Sequence, residues 1–230
     1  MPPLARRDVR SLVRKLGATA RPSQQRQALE AIARLSTVGE ETDSCTTLVA
    51  IAAAGAIPSL VQLLGPGSSA SVQENAAAAL VRLALSAEIA VIIAAAGAIP
   101  RLASLLTPGC TVEVQANAAG ALGNLAQTAE NKVAIAAAGA IPSLVQLLGS
   151  GSQAAVRECA AGALSNLAWD AETAAAIVAA GAIPALRELV GSDDTRSFAS
   201  RALRVLAHSC AESRAASTTF FQEMQALVMK

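Results

Sequence analysis

The chain has 230 residues, 53% of them apolar but only 2% aromatic, so any core must be filled by Ala, Leu, Ile and Val. Lys and Arg number 18 against 17 Asp and Glu, a formal net charge of +1, which excludes a general nucleic-acid or membrane-surface binder because no large field is available. One His and four Cys without paired spacing exclude a His-based catalytic triad and a zinc cluster.

Charge is uneven along the chain. Arg6, Arg7, Arg10, Arg14, Lys15, Arg21, Arg26 and Arg34 face only Asp8 and Glu30, so residues 1–34 carry +6 and the remainder −5. This N-terminal stretch lacks the apolar run of about 7 to 15 residues that marks a secretory signal. The expected location is intracellular, cytoplasmic and/or nuclear. Two apolar-periodic helices follow, DVRSLVRKLG and QALEAIARLS, each matching a later segment at an offset of 48 residues (IPSLVQLLG and AAAALVRLAL). The insertion that lengthens this offset lies in STVGEETDSC, read as a solvent loop through Glu40, Glu41 and Asp43, with a binding role as the alternative.

From there the chain repeats. Gly-Ala-Ile-Pro occurs at Gly55, Gly97, Gly139 and Gly181, each 42 residues after the last. Glycine suits the left-handed position just past a helix end, and proline suits the first helical position, so the motif predicts a corner between two helices. Ahead of each corner is an alanine-rich run such as Leu48 to Ala54. Behind it is an apolar helix such as SLVQLLG, with Leu60, Leu63 and Leu64 on one face and Gly65 as its stop. A Gly/Ser/Pro loop then leads to a longer helix, VQANAAGALGNLA or VRECAAGALSNLA. Three helices per unit are expected. The predicted division is an incomplete repeat over 1–45, full repeats over 46–87, 88–129 and 130–171, a shortened repeat over 172–210 and a C-terminal capping helix over 211–230. The last of these carries Phe220, Phe221, Met224, Leu227 and Val228 on one face, which covers an open repeat end or is offered to another protein.

The AGAIP corner, the LVxLLG second helix and the AAGALxNLA third helix (Ala118 to Ala126, Ala160 to Ala168) resemble the armadillo repeats of β-catenin-like, importin-α-like and plant-type proteins. The resemblance implies an all-α fold, a right-handed α-solenoid of about five repeats with atypical ends. It implies a scaffold or adaptor that binds extended peptide segments of other proteins along the concave surface of the third helices. It implies no enzyme activity, no cofactor, no metal, no nucleic-acid partner and no small-molecule substrate. The alternative is the substrate-recognition region of a larger assembly such as a ubiquitin ligase, with a nuclear-import-type adaptor behind it.

Helical geometry picks the outward residues. With Leu122 as origin, Gly120, Asn124 and Gln127 fall about 140° to 200° away from the leucine face. Down the units this column reads Arg34, Arg82, Asn124, Asn166 and Val205; one turn earlier it reads Glu30, Ala78, Gly120, Gly162 and Arg201; a turn before that, Arg26, Glu74, Ala116, Glu158 and Ser197. The predicted peptide-binding groove is Arg34, Glu74, Arg82, Asn124, Gln127, Glu158, Asn166, Trp169 and Arg201. By the resemblance, Asn124 and Asn166 match the asparagine that holds the backbone of a bound segment, while Gly120 and Gly162 replace the tryptophans of import adaptors. Trp169 either supplies an aromatic contact or packs at its helix end.

Other features read as structural. Cys159 shares a column with Asn75 and Asn117 and is expected to be a free thiol. His208 is placed after the last helix of the fifth unit. The loops at Gly65 to Ser69 and Gly149 to Ser152 lack the lysine and hydroxyl of a phosphate loop. Residues 133–156 are uncharged and mean hydropathy is +0.46, yet Pro and Gly corners interrupt each apolar run, so no membrane insertion is expected.

Overall fold

The computed structural model describes residues 6–16, 22–35, 49–191 and 196–212, and among them there is no strand. Helices α1 (Arg6–Arg14) and α2 (Pro22–Leu35) make the first unit. Residues 49–53, α3 (Ala56–Leu63) and α4 (Ala70–Leu83) make the second. Then come α5 (Ala87–Ala95), α6 (Ala98–Ser104) and α7 (Val112–Leu125), followed by α8 (Ala129–Ala137), α9 (Ala140–Leu147) and α10 (Ala154–Leu167). The last unit is α11 (Ala171–Ala179), α12 (Ala182–Val190) and α13 (Arg196–Glu212). The insertion with Glu40, Glu41 and Asp43 and the segment from Phe220 to Val228 lie outside the described residues.

The corners form as their glycines require. Gly55, Gly97, Gly139 and Gly181 have φ of 82°, 79°, 71° and 79°, in the left-handed region that side-chain-bearing residues avoid. Each glycine closes one helix and opens the next: Gly97 N–H donates to Ala94 O at 2.9 Å, and Gly97 is also the N-cap of α6. The axes turn by 81° between α5 and α6 and by 86° between α11 and α12. Proline sits two places off its expected register. The first helical residue is the alanine (Ala56, Ala98, Ala140, Ala182), and proline is third. The position costs no hydrogen bond, because the first four N–H groups of a helix have no internal acceptor.

These sharp turns also bear on the apolar runs. Among the described residues no single helix is long and apolar enough to cross a membrane; α5 with α6, and α11 with α12, reach the length only as bent pairs.

The third helices α2, α4, α7, α10 and α13 form one layer, each packed on the next. Leu80, Leu122 and Leu164 occupy the same position in successive units and are fully buried. Small residues set the close spacing of the layer. A Cβ built on Gly123 would lie 3.1 Å from Ala163 Cα and 3.3 Å from Ala163 Cβ, so α7 and α10 approach to a distance that only glycine permits.

Candidate functional site

Among the described residues the third-helix layer has one face without a covering helix, and its residues follow the predicted columns. On α7 the stripe runs through Glu113, Ala116, Asn117, Gly120 and Asn124 to Gln127 just past the helix end, all exposed or half-buried. The matching positions are Glu74, Ala78, Arg82 and Leu85 at α4, and Glu158, Gly162, Asn166 and Trp169 at α10. On α13 Arg201 and His208 are exposed, while Val205 is buried. His208 is inside α13, not beyond it, because that helix runs to Glu212. The side chain of Arg34 lies outside the described residues. Trp169 is 60% exposed, so the alternative of packing at the helix end does not hold.

The floor of this face is less open than small residues alone imply. A Cβ on Gly120 would meet Val81 Cγ2 at 3.6 Å and Cys159 Sγ at 4.0 Å, and one on Gly162 would meet Phe198 Cδ1 at 3.4 Å. Phe198 stands in the column of Cys159, with its ring against the missing side chain.

The asparagines do something their helix cannot reveal alone. Asn124 Nδ2 donates to Val81 O at 2.8 Å, and Asn166 Nδ2 donates to Gly123 O at 2.9 Å, each bond spanning 43 residues. Gln127 Nε2 donates to Ala84 O at 2.6 Å and to Asn124 O at 2.7 Å. Ser209 Oγ donates to Ala168 O at 2.6 Å. Apart from the bond of Gln127 to Asn124 O in its own helix, each of these side chains caps a carbonyl at the C-terminal end of the preceding third helix, where helical geometry leaves acceptors unpaired. At Val81 the vacancy is explicit, since Leu85 N–H turns to Arg82 O. Asn124 and Asn166 thus lie on the stripe half-buried, and each also ties its repeat to the one before. An amide can donate twice and accept twice, so each retains hydrogen-bonding capacity. Asn166 Oδ1 already accepts once, from Arg201 Nη2 at 2.5 Å, while Arg201 Nε donates to Ser165 Oγ at 2.7 Å.

A second set of connectors was not singled out from the sequence. Gln73 Nε2 donates to Gly65 O at 3.0 Å and Leu64 O at 3.3 Å, Gln115 Nε2 to Thr107 O at 2.7 Å, and Arg196 Nε to Val190 O at 3.1 Å. All three bind the loop after a second helix to the start of the third. The signal was present as Gln73 and Gln115, 42 residues apart. Arg157 fills the same column, but its Nε is buried without a partner beside a cleft of about 290 Å³ that Ser150 and Glu188 also line. First helices are capped at the same period: Thr128 Oγ1 accepts from Asn131 N and Asp170 Oδ1 from Thr173 N. Asn131 and Thr173 in turn donate to the buried ends of α7 and α10, at Leu125 O and Leu167 O.

Among the described residues no group of three or more His, Cys, Asp and Glu side chains could hold a metal ion. Cys110 and Cys159 are free thiols, and burial, with Glu158 alongside, pushes the Cys159 thiol up. The face thus offers hydrogen-bonding amides, isolated charges and one exposed indole.

Three-helix units, right-angled glycine corners and a continuous third-helix layer define an armadillo-type solenoid. The profile of the plant U-box protein ARM repeat region matches residues 8–227, and the chain belongs to that family. No curated protein sequence matches it. Among solved structures, the chain is similar to an engineered protein at 30% identity, with a TM-score of 0.80 and coverage of 96% of this chain and 94% of the other. It is similar to computationally designed armadillo repeat proteins for modular peptide recognition, at 25% identity, TM-score 0.76, and coverage of 95% and 97%. A designed armadillo repeat protein in complex with the peptide (KR)4 shares the fold at 24% identity and TM-score 0.77, covering 95% of this chain and 97% of that one.

Proposed function

We propose that this chain is a protein-binding scaffold that receives an extended segment of a partner protein along the concave third-helix face. The observation that carries the reading is the uncovered stripe from Glu74 through Asn124 to Trp169, which recurs once per repeat and combines amide groups with an exposed indole. Such a stripe matches the recurring backbone of an extended peptide, because amide side chains pair with peptide groups whatever the peptide sequence. Designed relatives of the same architecture recognise peptides, which supports the reading.

A second reading, favoured by the match to the U-box protein ARM region, is that the scaffold selects substrates for a ubiquitin ligase. It uses the same face, so both readings stand or fall on peptide binding there. Trp169 is the only tryptophan of the chain and reports on the face directly. The experiment is to select peptides from an unbiased display library and titrate each against the protein while following Trp169 emission. The expected result is a saturable blue shift that Ala78→Trp, placed on the same stripe, weakens. Selected peptides that leave Trp169 emission unchanged and tolerate Ala78→Trp would overturn the proposal.

A further inference from the structure

Arg201 is the most specific chemical group on the third-helix face. Its column is filled by Ala78, Gly120 and Gly162 in the three units before it, so a guanidinium enters where those units offer almost no side chain. It reaches back one repeat and is held at two points, Nε on Ser165 Oγ at 2.7 Å and Nη2 on Asn166 Oδ1 at 2.5 Å. Both acceptors are neutral. Among the described residues no carboxylate pairs with it. A guanidinium has five N–H donors, so three remain after these two bonds, and the side chain is exposed. The charge is fixed in place, uncompensated and open.

Two neighbours define what it would bind. Trp169 follows Asn166 by three residues, two past the end of α10, and its indole is exposed. Glu158 lies eight residues before Asn166, about 12 Å away along that axis, beyond the reach of strong repulsion at physiological salt. A planar guanidinium held from one side matches a carboxylate, and the indole matches an apolar side chain beside it. A lysine or arginine at this point would meet uncompensated positive charge. Resting on the proposed peptide-binding role of the face, we infer that the junction of the fourth and fifth repeats is an acid-selective subsite: Arg201 takes a glutamate or aspartate of the partner segment, and Trp169 takes an adjacent aromatic or branched apolar residue.

The preorganisation has an identifiable origin. Ser165 is fully buried, and Asn166 is itself pinned to Gly123 O, so the guanidinium rests on groups that cannot turn away. A lysine at 201 would keep the charge but lose the double attachment.

The test uses the intact chain and three labelled synthetic peptides of equal length: alternating glutamate and threonine around one phenylalanine, the same with glutamine for glutamate, and the same with lysine. Anisotropy gives affinity, and Trp169 emission reports where each peptide sits. The glutamate peptide is expected to bind about tenfold or more tighter than the glutamine peptide, with the lysine peptide weakest. Arg201→Gln should remove that preference, and Arg201→Lys should restore part of it. Should Arg201→Gln lower stability, the comparison of glutamate and glutamine peptides on the unaltered protein still decides. Equal binding of all three peptides with a Trp169 shift would overturn the acid-selective subsite and leave the groove intact. Binding of none would overturn both. A phosphoserine version binding far tighter than the glutamate peptide would overturn the carboxylate assignment in favour of a phosphorylated partner.

Discussion

Gly139→Ala isolates the conformational cost of a corner, because a Cβ at Gly139 meets no atom within 4 Å. Gly151→Ala is the matched control: its Cβ also meets nothing within 4 Å, but Gly151 is not among the positive-φ glycines. Holding an alanine in the left-handed region costs about 1 to 2 kcal/mol. In both variants the methyl restricts the unfolded chain, which favours the folded state by about 0.4 to 1 kcal/mol. The net expectation is a loss of about 1 kcal/mol at Gly139 and a neutral or slightly favourable change at Gly151, a separation of about 1 to 2 kcal/mol. For a chain of this size each kcal/mol moves the melting temperature by about 2 to 4 °C. Urea midpoints at constant slope measure the same quantity without the temperature term. Gly139→Asn should fall between glycine and alanine, since asparagine tolerates the left-handed region. Equal midpoints for Gly139→Ala and Gly151→Ala would refute the claim that backbone conformation fixes glycine at the corners.

Asn124→Ala and Asn166→Ala each strip a carbonyl of its donor, so each should cost about 1 to 3 kcal/mol; midpoints unchanged in either variant would show that water replaces the amide freely. Gly123→Ala forces a methyl to 3.1 Å from Ala163 Cα, a backbone clash worth about 1 to 3 kcal/mol, whereas Gly67→Ala, with open space around it, should be near neutral. Because the folded state holds the Cys159 thiol above its ordinary range, its alkylation, followed by peptide mass spectrometry, should stay slow at pH 8 and accelerate only at higher pH; a rate already level at pH 8 would contradict the burial. Its stability contribution follows the same sign: the neutral thiol is favoured by folding, so any benefit fades only as pH rises above the unfolded thiol value.

The period and the corners were legible because glycine and proline constrain the backbone locally, and local constraints survive translation into sequence. Trp169 was legible as a column position but not as exposed, since one helix does not show what covers the residue past its end. The bonds that the asparagines make to the preceding repeat were not legible, for a definite reason. A helical wheel knows one helix, and on α7 alone Asn124 points away from the leucines. The neighbouring third helix is so close, at Gly123 and Ala163, that a residue on the flank of one wheel lands on the carbonyls of another. Arg201 was placed in the right column for the same geometric reason, but its grip on Ser165 and Asn166 depends on a side chain long enough to cross between repeats. The loop connectors at Gln73 and Gln115 could have been found by asking which polar residues repeat at 42 without facing the predicted groove.

Four inter-repeat side-chain caps among the described residues run in one direction. Asn124, Gln127, Asn166 and Ser209 donate toward the N-terminal neighbour. A unit therefore completes the one before it, and the dependence is not mutual. Removing a unit from the N-terminal side of a junction frees only amide and hydroxyl groups, which can rotate into water. Removing one from the C-terminal side hands over to water the helix-end carbonyls that were satisfied across the junction. The stack has an arrow. An engineer lengthening such a chain by whole units would do well to cut within the loop before a third helix, so that every donor travels with its own helix and finds the acceptor of whatever unit precedes it.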